Sequence, residues 1–478
     1  MTASTPKVLL LDVVGLTASA LRHMPRLTHL ARAGGRAELG TVLPAVTCSV
    51  QSTVLTGEMP SGHGIVGNGW YFRELGDVLL WRQHNRLVHG EKLWETARRR
   101  SAAAYTSANL GWWYAMGATT DLTVTPRPIY HADGRKSPDF YARPPGLHDE
   151  LREELGEFPL FQYWGPTASI RSTQWIVDAT RRVLDRPEAP DLTMAYLPHL
   201  DYDHQRFGPD SPEGVRAAAE LDAAMAPLLD QAEAQDVTVV ALAEYGIARA
   251  DRPVDLNRAL RRAGLLEVHV QDGREQLDPW TSRAFAVADH QVAHVYVADP
   301  ADVPRVAAIL HDLRGVDEVL DREAQARYGL DHARSGELIA VAEPGAWFTY
   351  YFWLDDDRAP EYARGVDIHR KPGYDPAELF FDPADRLAKA KAAGNLARKA
   401  LGLRYAMRTV PLDPSWVRGT HGRLPDSEAD TPLLLSSDPR FLDGAGDRVH
   451  ATQVRDLVLE WQGLGAATMS DPHERIRA

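Results

Sequence analysis

The feature that most constrains this chain is a run of four aliphatic residues ending on an acid: Val8, Leu9, Leu10, Leu11, Asp12. A continuous apolar run has no polar face. It suits a strand covered on both sides, as in a parallel sheet. Two further runs repeat the pattern: residues 192–197 lead towards Asp201, and residues 237–243 end at Glu244. Between them, residues 211–235 read as a long alanine-rich helix. Helical patterns also cover residues 18–33 and 49–56. Strands alternating with helices predict an α/β fold with a mostly parallel central sheet between helices. The acids matter because open α/β sheets form their sites at the carboxyl ends of strands.

A chain of 478 residues exceeds one simple core. It calls for two lobes or a core with an insertion. After about residue 255 the texture changes to short strands at 284–287 and 292–297 and a helix at 303–313. The expected division is a core of residues 1–254 and 345–478, with an inserted cap or second lobe at 255–344. Residues 360–383, rich in Pro, Gly, Asp and aromatics, predict an ordered loop. Residues 387–402 predict a basic helix. The net charge of −13 argues against a nucleic-acid polymer as partner. It does not exclude a small anionic substrate, since a bound metal reverses the local field. Cys48 is the single cysteine, which excludes an internal disulfide and a thiolate zinc cluster. The first apolar run is too short for a leader core or a membrane span, so the expected location is cytoplasmic.

The strongest local signal runs from Leu43 to Gly57. Thr47 stands where a helix begins, after an extended stretch containing Pro44. An N-cap is the ordinary use of such a threonine. The chemical use is different: a hydroxyl at a helix N-terminus lies beside free N–H groups and the positive dipole end, which suit a phosphoryl group. A metal on that oxygen would lower its pKa and make it a nucleophile. The Gly-rich turn that follows brings Asn68 back towards the helix start. There its amide can donate to a phosphate oxygen, or it is a plain turn residue.

Pro44-x-x-Thr47, Leu55-Thr-Gly57, Pro60-x-x-His63-Gly-Ile and Asn68 together resemble the alkaline phosphatase superfamily. The nearest branch is that of nucleotide pyrophosphatases/phosphodiesterases and phosphonoacetate hydrolase. The resemblance implies an alkaline-phosphatase-like sandwich and a metal-dependent phosphoesterase. Thr47 would attack phosphorus through a phosphothreonine intermediate, and Asn68 would help hold the phosphoryl group. It also implies two divalent metal ions, usually zinc. One would be held by Asp12, Thr47 and an Asp-His pair. Here that pair reads Glu244-Tyr245, a departure: Glu244 can replace an aspartate, but Tyr245 is a poor substitute for histidine and either ligates, donates to substrate or packs. The other ion would be held by Asp201, a histidine and His421, the last in Gly419-Thr-His421-Gly422. Alignment on Asp201 and Gly208-Pro209 puts Gln205 at the histidine position, a second departure. His204 is adjacent, and a one-residue shift points it elsewhere. His199 reads as a supporting or surface group.

Two missing histidines leave room for a displaced pair. Asp367 and His369, in Asp-x-His spacing, would share one face of a strand and reach one ion; the alternative is a polar loop. Arg370 and Lys371 are candidates for substrate phosphate. Asp289, His290, Gln291 and His294 form a further polar stretch with less claim to a metal. Glu, Gln and Tyr are harder donors than His, so zinc or manganese is expected, with magnesium and iron open. Trp112, Trp113 and Tyr114 stack a ring of the substrate or belong to the core. The partner expected is a small phosphorylated substrate. Two other readings stay open: a relative that binds a phosphorylated ligand or partner without turnover, and a hydrolase of monoesters, phosphonates or sulfate esters.

Overall fold

The computed structural model describes residues 5–465, apart from 103, 133–134 and 404–406. The N-terminal run forms the strand Val8–Val13 near the middle of a nine-stranded sheet. It pairs in parallel with Leu192–Leu197 on one side and Thr238–Leu242 on the other. Alternation explains the absence of a polar face. Leu9, Leu11 and Val13 enter one core, against Trp175 and Ile176 of the helix Ile170–Leu184 and Leu221 and Met225 of the helix Pro212–Ala234. Val8 and Leu10 enter the other, against Val50 and Val54 of the helix Thr47–Thr56 and Val454 and Val458 of the helix Ala451–Trp461. Helices therefore cover both faces, as the α/β reading expects.

From one edge the strands run Arg448–His450, Gly35–Gly40, Leu433–Ser436, Thr238–Leu242, Val8–Val13, Leu192–Leu197, Ser107–Leu110, Leu122–Pro126 and Phe140–Arg143. Five of the eight pairings are parallel; three are antiparallel and lie towards the edges. The pattern at 18–33 splits into the helices Ala18–Leu21 and Pro25–Ala33. Pro25 cannot continue a helix, having no N–H, but its fixed φ suits the first position of the next one.

A second sheet is antiparallel, in the order Ala284–Asp289, Val292–Val297, Leu338–Ala342, Val316–Leu320. Its core takes in Phe285, Tyr296 and Phe348 together with Cys48, Ile65 and Trp70 from the N-terminal part of the chain. The strand expected at 284–287 continues to Asp289, which carries that side chain to the site. Residues 366–375 form no strand: 368–370 make a turn, followed by the short 3-10 helix Pro376–Leu379. Among the described residues no helix is long and apolar enough to cross a membrane.

Candidate active site

The sheet delivers two acids to one place. Asp12 sits opposite Tyr196 and Leu242 in the central strand and is fully buried. Glu244 follows Leu242 by two residues and is equally buried. Asp201 comes from the helix His199–Phe207, which starts just after the strand Leu192–Leu197. Thr47 is the first residue of its helix. Val46 is the N-cap and makes no side-chain bond, so the threonine is not spent on capping. Its Oγ1 lies 3.2 Å from the Tyr245 hydroxyl. That hydroxyl also donates to Asp201 Oδ1 at 3.5 Å. Threonine, tyrosine and aspartate thus form one chain of hydrogen bonds.

The electrostatics are those of acids taken out of water. Burial pushes Asp12 up to about 6, with Glu244 and Gln51 opposing the rise. Burial, then the charge of Asp12, raises Glu244 well above the carboxylate range. Burial raises Asp201 to about 7, although Gln205 and Tyr245 donate to it. Gln51 Nε2 donates to Asp12 Oδ2 at 2.8 Å and so orients that carboxylate. Asp12 Oδ1 and both oxygens of Glu244 are buried without a hydrogen-bond donor. Leaving charged oxygens so placed costs roughly several kcal/mol unless a proton or a cation joins them.

Around Asp201 the arrangement differs. Gln205, one helical turn on, donates its Nε2 to Asp201 Oδ1 at 2.8 Å. Its Oε1 accepts from Tyr374 at 3.0 Å. His421 Nδ1 is 2.8 Å from the Ala45 carbonyl, an acceptor only, so Nδ1 carries the proton. Nε2 then presents a lone pair, has no donor and lies 3.9 Å from Asp201 Oδ1. Burial holds this imidazole neutral, its pKa lowered to about 3. Four rings pack in a row through the site: Tyr245 stacks on His421 with centroids 3.5 Å apart, His421 lies tilted against His290 at 3.6 Å, and His290 stacks on Tyr374 at 3.9 Å. Two glycines let His421 enter. A Cβ on Gly419 would meet the His204 carbonyl at 2.2 Å; Gly422 has a φ of +122° and packs on Gln291.

Asn68 does return to the helix start: its Oδ1 accepts from the Cys48 N–H at 3.0 Å. Asp289, which its own segment marks only weakly, holds Asn68 twice, accepting from the backbone N–H at 2.8 Å and from Nδ2 at 3.1 Å. Burial raises Asp289 to about 6, with the Asn68 bonds opposing. A carboxyl whose folded pKa lies above its unfolded value stabilises the fold most below the unfolded pKa and loses that contribution as pH rises through about 6. The stability advantage of the wild type over Asp289→Asn should therefore shrink by up to about 3 kcal/mol between about pH 4 and pH 7.5. Urea unfolding of both proteins at the two pH values measures it; parallel pH curves would refute it.

Several predicted residues lie elsewhere. His204 turns the other way, its Nε2 3.4 Å from the Gly214 carbonyl, because only every fourth residue of the helix shares the Asp201 face. His199 pairs with Glu220 at 3.3 Å. His294 bonds the Val66 carbonyl. Asp367 and His369 do not share a strand face, because the segment turns there. Asp367 bonds Arg370, and His369 approaches the Leu80 carbonyl. Lys371 is buried between Asp375 and Glu378, 2.7 Å from each, so its charge is not offered to a substrate. Arg370 is exposed and paired with Asp367. Trp112 and Tyr114 are core, whereas Trp113 is half-buried, lies tilted against Trp81 with ring centroids 4.8 Å apart and donates its backbone N–H to Gln51. Gln51 and Tyr374 belong to the site without being evident from sequence; a glutamine inside an apolar helix face is the available signal for the first.

These residues answer unequally to the two metal ions that the resemblance implies. Asp12, Glu244 and Thr47 offer oxygen donors, three of them carboxylate oxygens without partners. Asp201 and His421 offer two donors, and the third position carries an amide already bonded at both ends. Among the described residues no group of three or more His, Cys, Asp or Glu side chains is placed to hold a metal ion. The first position fits a cation; the second is incomplete.

A model of the type I phosphodiesterase / nucleotide pyrophosphatase family matches residues 8–375. Among curated protein sequences none matches. Solved structures share the fold. Murine ectonucleotide pyrophosphatase / phosphodiesterase 5, an inactive variant in complex with AMP, matches with a TM-score of 0.59 over 98% of both chains at 14% identity. Phosphonoacetate hydrolase from Sinorhizobium meliloti, in complex with phosphonoformate, matches with a TM-score of 0.59 over 96% of both chains at 15% identity. Human ectonucleotide pyrophosphatase / phosphodiesterase 5 matches with a TM-score of 0.59 over 98% of both chains at 14% identity.

Proposed function

The chain belongs to the type I phosphodiesterase / nucleotide pyrophosphatase family, phosphoric ester hydrolases of the alkaline phosphatase superfamily, and from that premise we propose that it hydrolyses a small phosphodiester or pyrophosphate with Thr47 as nucleophile. The observation that carries the reading is the position of Thr47. It opens a helix without capping it, and its hydroxyl meets the Tyr245 hydroxyl and Glu244, one of three buried acids that act on one another. Asp12, Glu244 and Thr47 would hold a divalent cation, which would supply positive charge to lower the pKa of the hydroxyl and to steady the phosphoryl oxygens. The protein's own groups do the rest. The Thr47 hydroxyl lies beside Glu244 and opposes the rise in its pKa, and Glu244 is placed to take the threonine proton. Thr47 Oγ1 forms a bond to phosphorus while the ester oxygen leaves in line; water then cleaves the threonine ester. The helix N-terminus favours the anionic phosphoryl group. Asp289 fixes the Asn68 amide at the same helix end. Trp81 donates its backbone N–H to the Asn68 carbonyl at 2.8 Å, and its ring lies tilted against that of Trp113. Such rings suit a planar substituent on the substrate.

The test compares bis-p-nitrophenyl phosphate, p-nitrophenyl phosphate, p-nitrophenyl sulfate and phosphonoacetate, with zinc, manganese or magnesium supplied in turn. Faster turnover of the diester than of the other three is the expected outcome. Preference for the monoester, the phosphonate or the sulfate would move the substrate class while keeping the nucleophile. A contrary reading, a ligand-binding relative without turnover, draws on Tyr245 and Gln205 at two histidine positions. No turnover of any substrate with any ion would establish it.

A further inference from the structure

We propose that this site retains one divalent cation rather than two: a hard, oxygen-preferring ion such as Mn²⁺ held by Asp12, Glu244 and Thr47, while the Tyr245 phenol and the Gln205 amide stand in for the ligands of a second. It rests on the phosphoesterase reading for what the ion is for, but its own content is a stoichiometry.

Buried acids in this fold are satisfied in different ways. Asp375 and Glu378 are buried with the ammonium of Lys371 2.7 Å from each. Asp289 is buried with two N–H donors of Asn68. Asp12 and Glu244 are as deeply buried; the polar groups acting on them are each other, Gln51, Thr47 and Asp201, with no lysine or arginine among them. Three of their four oxygens have no partner. Elsewhere this protein neutralises or saturates a buried carboxylate; here two buried carboxyl groups lie beside one another with no cationic side chain between them. Three unpartnered carboxylate oxygens and a hydroxyl form a donor set for a hard cation, because oxygen ligands select manganese and magnesium over softer ions.

The neighbouring position is built differently. Asp201 Oδ1, the oxygen 3.9 Å from His421 Nε2, already accepts from Gln205 Nε2 and from the Tyr245 hydroxyl. Presenting the Gln205 oxygen instead would give up its bonds to Asp201 and from Tyr374 together. The Tyr245 ring lies flat on His421, with an interplanar angle of 5°, which fixes the phenol between Thr47 and Asp201. Asp201 and His421 remain as two donors, too few to retain an ion against dialysis.

The experiment uses the full chain stripped with a chelator, loaded with Mn²⁺ or Zn²⁺, dialysed and assayed by elemental analysis and calorimetry. One retained equivalent is expected, with Mn²⁺ held at least as tightly as Zn²⁺. Glu244→Gln should weaken Mn²⁺ binding by more than the roughly 10–100-fold that a supporting residue costs. His421→Ala should leave Mn²⁺ affinity within about threefold. The double variant Tyr245→His with Gln205→His should retain a second equivalent of Zn²⁺. Near-UV circular dichroism checks that each variant is folded. Two retained equivalents in the wild type would overturn the proposal, as would none, or a loss of affinity in His421→Ala matching that of Glu244→Gln. Turnover is scored separately. One ion without hydrolysis of any ester sinks the phosphoesterase reading alone; two ions with hydrolysis sink the stoichiometry alone.

Discussion

Thr47→Ala should lose at least about 10⁴-fold in kcat on the diester while the protein stays folded. In the proposed mechanism the hydroxyl oxygen is the atom that bonds to phosphorus, so no neighbouring side chain replaces it. Tyr245 sits 3.2 Å away but is held by Asp201 and packed flat on His421. The structural cost is small. Thr47 is the first residue of its helix and Val46 is the cap, so alanine removes one hydrogen bond and no cap. A loss of about 1 kcal/mol is expected from that bond. Thr47→Ser keeps the nucleophile and should keep measurable turnover. Steady-state rates, read beside urea midpoints for both variants, separate the outcomes. Alanine turning over within tenfold of wild type would remove the covalent mechanism, whatever the fold.

Much of this site is legible in the sequence, and the reason is local. Strand ends and helix starts are short-range features, so Asp12, Thr47 and Glu244 can be placed from their immediate neighbours. Strands 8–13 and 192–197 are readable because burial on both faces demands an unbroken apolar run. Asp367 and His369 fail on the same logic reversed: alternation holds only in a strand, and the chain turns at 368–370. His204 fails because adjacency in sequence is about a quarter-turn on a helix, and the face of Asp201 belongs to Gln205. Asp289 and Tyr374 are the harder cases. They reach the site from residues far along the chain, Asp289 at the end of a strand in the second sheet and Tyr374 from a loop. Nothing in their own segments marks a partner at position 68 or 205. Long-range convergence of single side chains leaves no periodicity to read.

Lys371→Met should destabilise the protein by about 3–5 kcal/mol, the cost of leaving a buried ionic partner uncompensated. The sequence suggests a phosphate ligand here; the structure shows an ammonium enclosed by its own segment. Burial disfavours the charge on Lys371, but Asp375 and Glu378 outweigh it and raise the pKa. Glu378 also accepts from the Trp164 indole at 2.7 Å and from the Asp367 backbone at 2.9 Å. Asp375 accepts from the Ala377 backbone. The lysine thus ties the turn to the 3-10 helix after it, and between the two stands Tyr374, which donates to Gln205 and stacks on His290. Methionine keeps much of the volume and removes the charge, so two carboxylates face each other unpaired. Burial already raises Glu378. Protonation relieves the repulsion, so the deficit should be largest near neutral pH and shrink as the pH falls towards about 4. The triple variant with Asp375→Asn and Glu378→Gln should recover most of the loss, because neutral amides remove the unpaired charge. Urea unfolding of the three proteins at two pH values decides it. A Lys371→Met deficit that is flat with pH, and untouched by the amide replacements, would mean that lost packing rather than charge sets the cost.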